Sequence, residues 1–175
     1  MTAVSAPKVS ILMGSDSDLP VMAEAARQLE ALGVPFEIEV TSAHRSPERT
    51  AEIVNSARDR GVRVFIVGAG GAAHLAGVVA AHSSLPVLGV PLASSELNGL
   101  DALLATVQMP AGVPVGTLAI GKAGAANAGI LAAQILALGD PALTARLAAK
   151  RTEMAEGVAQ KSTQAKLKLA ELLRG

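Results

Sequence analysis

The 175-residue chain contains no cysteine, no tryptophan and no tyrosine, and only two phenylalanines. Without thiols it can form neither disulfides nor thiolate-ligated metal centres, which is compatible with a reducing compartment. The scarcity of aromatic rings argues against nucleobase stacking platforms. An excess of either charge is also missing: 15 basic side chains balance 15 acidic ones, so the composition builds in no polyanion-binding face. That balance leaves room for a small site holding one phosphate. Residues 1–8 lack the basic-then-apolar layout of a secretion signal, and the apolar run after them is short. These absences point to a cytoplasmic protein that binds neither membrane nor nucleic acid.

Charge is missing locally as well. Between Val64 and Gly139 only Glu96, Asp101 and Lys122 are charged. A membrane helix needs about 20 continuous apolar residues. Here Gly68, Gly70, Gly71, Pro86, Pro91, Pro110 and Pro114 interrupt the stretch at intervals suited to strands and loops. Helices so poor in charge must bury more than one face, which implies a homo-oligomer with extensive contacts.

What is present is alternation, on a length that fits one domain. Strands are expected at residues 8–13, 36–40, 62–67, 86–90 and 115–120, and helices at 19–32, 47–60, 72–81, 97–107 and 125–138. Pro20 stands early in the first helix, where a first turn tolerates it. The run at 62–67 is continuous and β-branched, as in a parallel strand covered on both faces. Five strand–helix pairs indicate an open parallel sheet with helices on both sides. Residues 1–140 form this single α/β domain, and residues 141–175 form a charged helical extension of it. Leu143, Leu147, Met154 and Val158 are spaced for one apolar stripe on that extension, with Gly157 lowering helix propensity midway. The stripe packs on its own subunit or reaches a neighbour.

In open parallel sheets ligands bind beyond the carboxyl ends of the strands. Four polar or glycine-rich segments fall there: 14–18 (GSDSD), 42–45 (SAHR), 68–74 (GAGGAAH) and 93–95 (ASS). The first precedes a helix, so it suits an anion at a helix N-terminus, or Ser17 or Asp18 simply caps that helix. Asp16 and Asp18 without further oxygen ligands make a poor divalent-cation site. The second joins a hydroxyl, an imidazole and a guanidinium within four residues. Arg45 can grip a phosphate bidentately, and an imidazole such as His44 changes charge near neutral pH. The third lets backbone N–H groups approach a ligand closely, but its spacing is not the dinucleotide-binding fingerprint. His74 starts a helix, to cap it or to contact ligand; His82 sits at a helix end without a chemical role.

These loops, with 85–91 (LPVLGVP), 103–114 (LLATVQMPAGVP) and 119–131 (AIGKAGAANAGIL), resemble the catalytic protein of the 5-aminoimidazole ribonucleotide carboxylase family, in order from about Val9 to Leu138. The His74 loop is similar to the class I branch. That branch rearranges N5-carboxyaminoimidazole ribonucleotide to 4-carboxy-5-aminoimidazole ribonucleotide in de novo purine synthesis. The resemblance implies a three-layer α/β/α flavodoxin-like fold with a five-stranded parallel sheet, a homo-octamer, and no cofactor or metal. It implies a phosphoribosylated aminoimidazole as substrate, and transient contact with the upstream ATP-dependent carboxyaminoimidazole ribonucleotide synthetase. It assigns His44 as general acid/base, Ser15 and Asp18 to substrate with Asp18 on ribose hydroxyls, and Ser42 and Arg45 to the phosphate. Gly70, Gly71, Ala72 and His74 are assigned to the lining of the imidazole and carboxylate. Two rivals share these features: direct carboxylation of aminoimidazole ribonucleotide by CO2, and a phosphate- or nucleotide-sensing module without catalysis.

Overall fold

The computed structural model describes residues 6–174; residues 1–5, part of the segment weighed for a secretion signal, and Gly175 lie outside the described residues. Two compact units divide the chain, one running to Leu136 and the other from Ala137.

The first unit alternates without exception: β1 (Val9–Met13), α1 (Leu19–Ala31), β2 (Phe36–Val40), α2 (Pro47–Arg60), β3 (Val64–Gly70), α3 (Leu75–His82), β4 (Val87–Leu92), α4 (Leu100–Val107), β5 (Gly116–Thr117) and α5 (Lys122–Ala137), whose last residue opens the second unit. All strand pairs are parallel, in the order β2-β1-β3-β4-β5. This is the flavodoxin-like order, with its switch point between β1 and β3.

Side-chain parity sorts the two faces. Leu12, Phe65, Val67 and Ala69 point into one core with Val54 and Ala57 of α2, Leu75, Ala76 and Val79 of α3, and Ala102 of α4. On the opposite face Gly68 leaves space that Met22 of α1 fills, since a Cβ there would lie 2.3 Å from its sulfur. The buried positions of α5 are small: Gly124, Ala125, Ala128, Gly129, Ala132 and Ala133. They permit a close approach to α1, with the Ala25 carbonyl only 2.7 Å from where a Gly129 Cβ would stand. Both faces of the central strands are therefore dry, which explains why β1, β3 and β4 read as unbroken apolar runs.

Six elements differ from the sequence expectation by more than one residue; among them β4 runs on to Leu92 and α5 starts already at Lys122. β3 starts at Val64 and runs through its glycines to Gly70. α3 starts at Leu75 because Gly71 turns left-handed (φ 58°) and the N–H groups of Ala73 and His74 bond back two residues. α4 waits until Leu100, since Asn98 and Gly99 both have positive φ (52° and 87°). β5 shrinks to two residues, although Leu118 N–H still reaches the Gly89 carbonyl and Gly121 N–H the Pro91 carbonyl. At an edge, irregular backbone can keep such bonds without regular strand geometry.

In the second unit α6 (Pro141–Leu172) begins with the Asp140 carboxylate accepting from Leu143 N–H at 3.0 Å. That cap and Pro141 in the first turn fix the start. Gly157 does not interrupt the helix. Met154 and Val158 of its stripe are exposed, as is Leu169 further along the helix. Among the described residues no helix is long and apolar enough to cross a membrane.

Candidate functional site

The loops after β1 and β3 leave the sheet toward opposite faces, opening a crevice at their carboxyl ends. A cavity of about 360 Å³ lies there, lined by the loops after β1, β2, β3 and β4. Its size suits a small-molecule ligand.

The β1 loop is a tight 3₁₀ turn over Asp16–Asp18, with Ser15 as its cap. Ser17 N–H donates to Ser15 Oγ at 3.3 Å, and Ser15 N–H donates back to Asp18 Oδ2 at 3.1 Å. This reciprocal box assigns the capping to Ser15 with Asp18; α1 itself has no side-chain cap at Asp18. Neither Ser17 nor Asp18 caps α1, contrary to the sequence expectation, because Asp18 is engaged in the box with Ser15. Burial raises the Asp18 carboxyl above its ordinary value; hydrogen bonds from Ser15 and Gly14 N–H oppose this, and the Asp16 charge adds to it. Among the described residues no three His, Asp or Glu side chains cluster where they could hold a metal.

Packing beneath it fixes the β2 loop. Thr41, buried at the end of β2, shares a 2.8 Å hydroxyl bond with buried Thr50 of α2. Ser42 and Ser46 brace the turn between them: Ser42 N–H donates to Ser46 Oγ at 3.1 Å, and Ser46 Oγ donates to the Ser42 carbonyl at 3.2 Å. The turn presents His44 and Arg45 outward, both exposed. Arg45 Nη2 donates to the Gly14 carbonyl at 3.1 Å and Nε to Ser42 Oγ at 3.4 Å. The guanidinium thus straddles the β2 and β1 loops with donors to spare for an anion.

The β3 loop brings His74 to the site. Its Nδ1 stands 2.8 Å from His44 Nε2, and it makes no capping bond to α3. Of the residues expected in the site, Ser15, Asp18, Ser42, His44, Arg45, Gly70, Ala72 and His74 line the cavity. Gly71 supplies the turn between two lining residues and is not itself in the lining. His82 ends α3, outside the lining. Sequence reasoning did not foresee the His44–His74 contact, which joins side chains 30 residues apart. Nor did it assign Ser17 or Ser94 to the site, although both segments were visible at strand ends.

One cavity therefore offers a cation for an anionic group, a carboxylate acceptor, an imidazole pair and small-residue backbone, a set suited to proton transfer on a phosphorylated polar ligand. Residues 8–157 match the protein family described as AIR carboxylase. N5-carboxyaminoimidazole ribonucleotide mutase of Vibrio parahaemolyticus is 58% identical over 151 residues, spanning 86% of this chain and 94% of that protein. The protein of that name from Bacillus subtilis is 52% identical over 158 residues, spanning 90% of this chain and 98% of its own length. The crystal structure of Treponema denticola PurE superposes with a TM-score of 0.81 at 26% identity, covering 90% of this chain and 98% of that one.

Proposed function

Because this chain belongs to the AIR carboxylase family, we infer that it is an isomerase interconverting N5-carboxyaminoimidazole ribonucleotide and 4-carboxy-5-aminoimidazole ribonucleotide, a step of purine biosynthesis carried out in the cytoplasm. The observation that carries this reading is the convergence of Asp18, His44, Arg45 and His74 on one cavity in a chain 52–58% identical to mutases over most of its length. Those relatives do not favour direct carboxylation of the uncarboxylated nucleotide.

Each residue has a task in this reading. Arg45, steadied by Ser42 and the Gly14 carbonyl, takes the phosphate. Asp18 and Ser15 take the ribose end. The substrate's N-carboxylate is a carbamate; cleavage of its C–N bond releases CO2 and leaves an amine that needs a proton. The electron-rich C4 then attacks the CO2 held beside it, so proximity replaces a dilute bimolecular encounter. Exclusion of water limits escape of the gas. The new C4–carboxylate carbon carries one hydrogen too many, and aromaticity returns when that proton leaves. His44 donates the first proton and accepts the second, a role that typically contributes about 10²–10⁴-fold.

Self-association belongs to the same reading, in the form of a homo-octamer. Leu97, Leu100, Leu104 and Val107 are each roughly half exposed along α4 and its entry. Their spacing of three and four residues makes one apolar stripe, which supports burial against another copy. The lability of the carbamate supports transient delivery from the synthetase that makes it.

The test is a stopped assay of the purified protein with N5-carboxyaminoimidazole ribonucleotide, without ATP or added bicarbonate. C4-carboxylated product above the enzyme-free control is expected. Product only from aminoimidazole ribonucleotide plus CO2 would replace the mutase reading with the carboxylase one.

A further inference from the structure

Four hydroxyls line the cavity, those of Ser15, Ser17, Ser42 and Ser94. Three are engaged within the protein. Ser17 Oγ donates to Ser15 Oγ at 2.9 Å, and Ser15 Oγ donates to Asp16 Oδ1 at 3.1 Å. Ser42 Oγ accepts from the backbone N–H and Nε of Arg45 at 3.2 and 3.4 Å. Ser94 differs. Its N–H bonds the Leu92 carbonyl at 3.1 Å, but among the described residues no protein group pairs with its hydroxyl.

That hydroxyl is nevertheless held in place. A Cβ on Gly70 would come within 1.9 Å of Ser94 Oγ and 2.7 Å of Ser94 Cβ, so the side chain rests directly on the bare Cα of Gly70. The loop beyond is tied down by Ser95, whose Oγ donates to Asp101 Oδ2 at 2.6 Å and accepts from Leu97 N–H at 3.2 Å. The hydroxyl is exposed, on the lining of a ligand cavity, and no protein group competes for its donor, so a bound ligand can take it in place of solvent.

Its place across the sheet says which part of the substrate reaches it. The loops follow the strand order β2, β1, β3, β4. With the phosphate at Arg45 and the ribose at Asp18, the imidazole extends toward the β3 and β4 loops. Ser94 closes that end, and the migrating carboxyl group is the anionic part of that end of the substrate.

We propose that the Ser94 hydroxyl donates a hydrogen bond to the carboxyl group in transit and keeps it beside C4. The proposal rests on the mutase reading. Ser94 keeps its proton throughout and forms no covalent bond. Without it CO2 departs after the carbamate C–N bond breaks and the nitrogen takes up a proton, and the decarboxylated aminoimidazole ribonucleotide leaves as product.

The wild-type protein, Ser94→Ala and Ser94→Thr are each given N5-carboxyaminoimidazole ribonucleotide without added bicarbonate. The C4-carboxylated and decarboxylated products are both quantified against an enzyme-free control. In Ser94→Ala the kcat for the C4 product falls by about 3- to 10-fold, the worth of a hydrogen bond to a group that is neutral CO2 in transit. KM changes less, and the decarboxylated share rises. Ser94→Thr retains the hydroxyl and restores both rate and product ratio. Wild-type rate and ratio in Ser94→Ala overturn the proposal. So does a defect in Ser94→Ala that Ser94→Thr fails to restore, because that marks a packing role. A wild-type protein that forms no C4 product overturns the mutase reading itself, and this proposal with it.

Discussion

Nε2 of His44 and Nδ1 of His74 face each other at 2.8 Å, the rings edge to face with centroids 4.9 Å apart and planes at 85°. One hydrogen lies between the two nitrogens, so as neutral imidazoles the rings are either both Nε2–H or both Nδ1–H. Either arrangement leaves Nδ1 of His44 and Nε2 of His74 for other partners. The contact bridges the loops after β2 and β3, and it fixes the orientation of the residue proposed to move protons.

His44→Asn should separate binding from chemistry. Asparagine keeps a polar side chain in the turn but cannot cycle a proton. Turnover is expected to fall by about 10²–10⁴-fold, while calorimetric titration with the C4-carboxylated nucleotide gives an affinity close to wild type. Near-normal turnover would remove His44 from the mechanism.

His74→Asn should be far milder. The asparagine amide can take over the role of Nδ1 toward His44, and a neutral hydrogen bond is worth about 0.5–1.5 kcal/mol. The expected cost in kcat is therefore no more than roughly tenfold. A loss as deep as that of His44→Asn would make His74 a proton carrier in its own right.

Arg45→Ala should act mainly on KM. Removing the guanidinium takes away a charge-assisted grip worth about 10- to 100-fold in affinity, while Ser42 Oγ loses the Nε donor and keeps the backbone N–H of position 45. Arg45→Lys should recover little, since an ammonium cannot reproduce the fork that spans Gly14 and Ser42. Unchanged affinity for inorganic phosphate and substrate in Arg45→Ala would contradict the phosphate role.

Asp18 gives the protein a pH dependence whose sign follows from its burial. Desolvation holds the folded-state pKa above the ordinary carboxylate value. Between those two values the folded chain binds more protons than the unfolded one, so stability falls as pH rises through that window and stays lowered above it. Asp18→Asn removes this penalty and retains an oxygen to accept from Ser15 N–H. Its stability relative to wild type, read from urea midpoints, should therefore be more favourable at neutrality than below pH 3.8. Its KM should rise, because an amide is a weaker acceptor for ribose hydroxyls than a carboxylate. The opposite pH trend would mean that ionised Asp18 stabilises the fold.

The sheet and the site were legible to different depths. Strand positions could be reached because dry, β-branched runs such as that from Val64 announce themselves, and the β1, β2 and β3 loops carry chemistry at predictable strand ends; the flavodoxin-like fold followed from the family resemblance alone. Helix starts at Leu75 and Leu100 were placed three residues early. Apolar periodicity continues through residues whose backbone is bent by Gly71, or by Asn98 and Gly99; glycine and the Asn-Gly pair signal such turns, but the helical spacing on either side overrides them. β5 was read too long because Val115 to Ile120 has strand composition, yet edge backbone follows only two residues of regular pairing. The meeting of His44 with His74, and the seat of Ser94 on Gly70, depend on distances between loops that no local pattern encodes.

Two glycines in helices should respond to alanine with opposite signs. At Gly129 a Cβ would stand 2.7 Å from the Ala25 carbonyl oxygen and 3.2 Å from its Cα, and backbone of a packed helix cannot yield as a flexible side chain can. Gly129→Ala is expected to cost about 1–3 kcal/mol, the range for overpacking. At Gly157, inside α6, a Cβ meets nothing within 4 Å, and the residue is not among those with positive φ. Alanine there should stabilise the helix by about 0.5–1 kcal/mol, because glycine loses more chain entropy on ordering. Circular dichroism melts of both variants test the pair. A stabilised Gly129→Ala would mean that α1 and α5 can move apart at little cost, and a destabilised Gly157→Ala would mean that this face of α6 is closely packed against another chain.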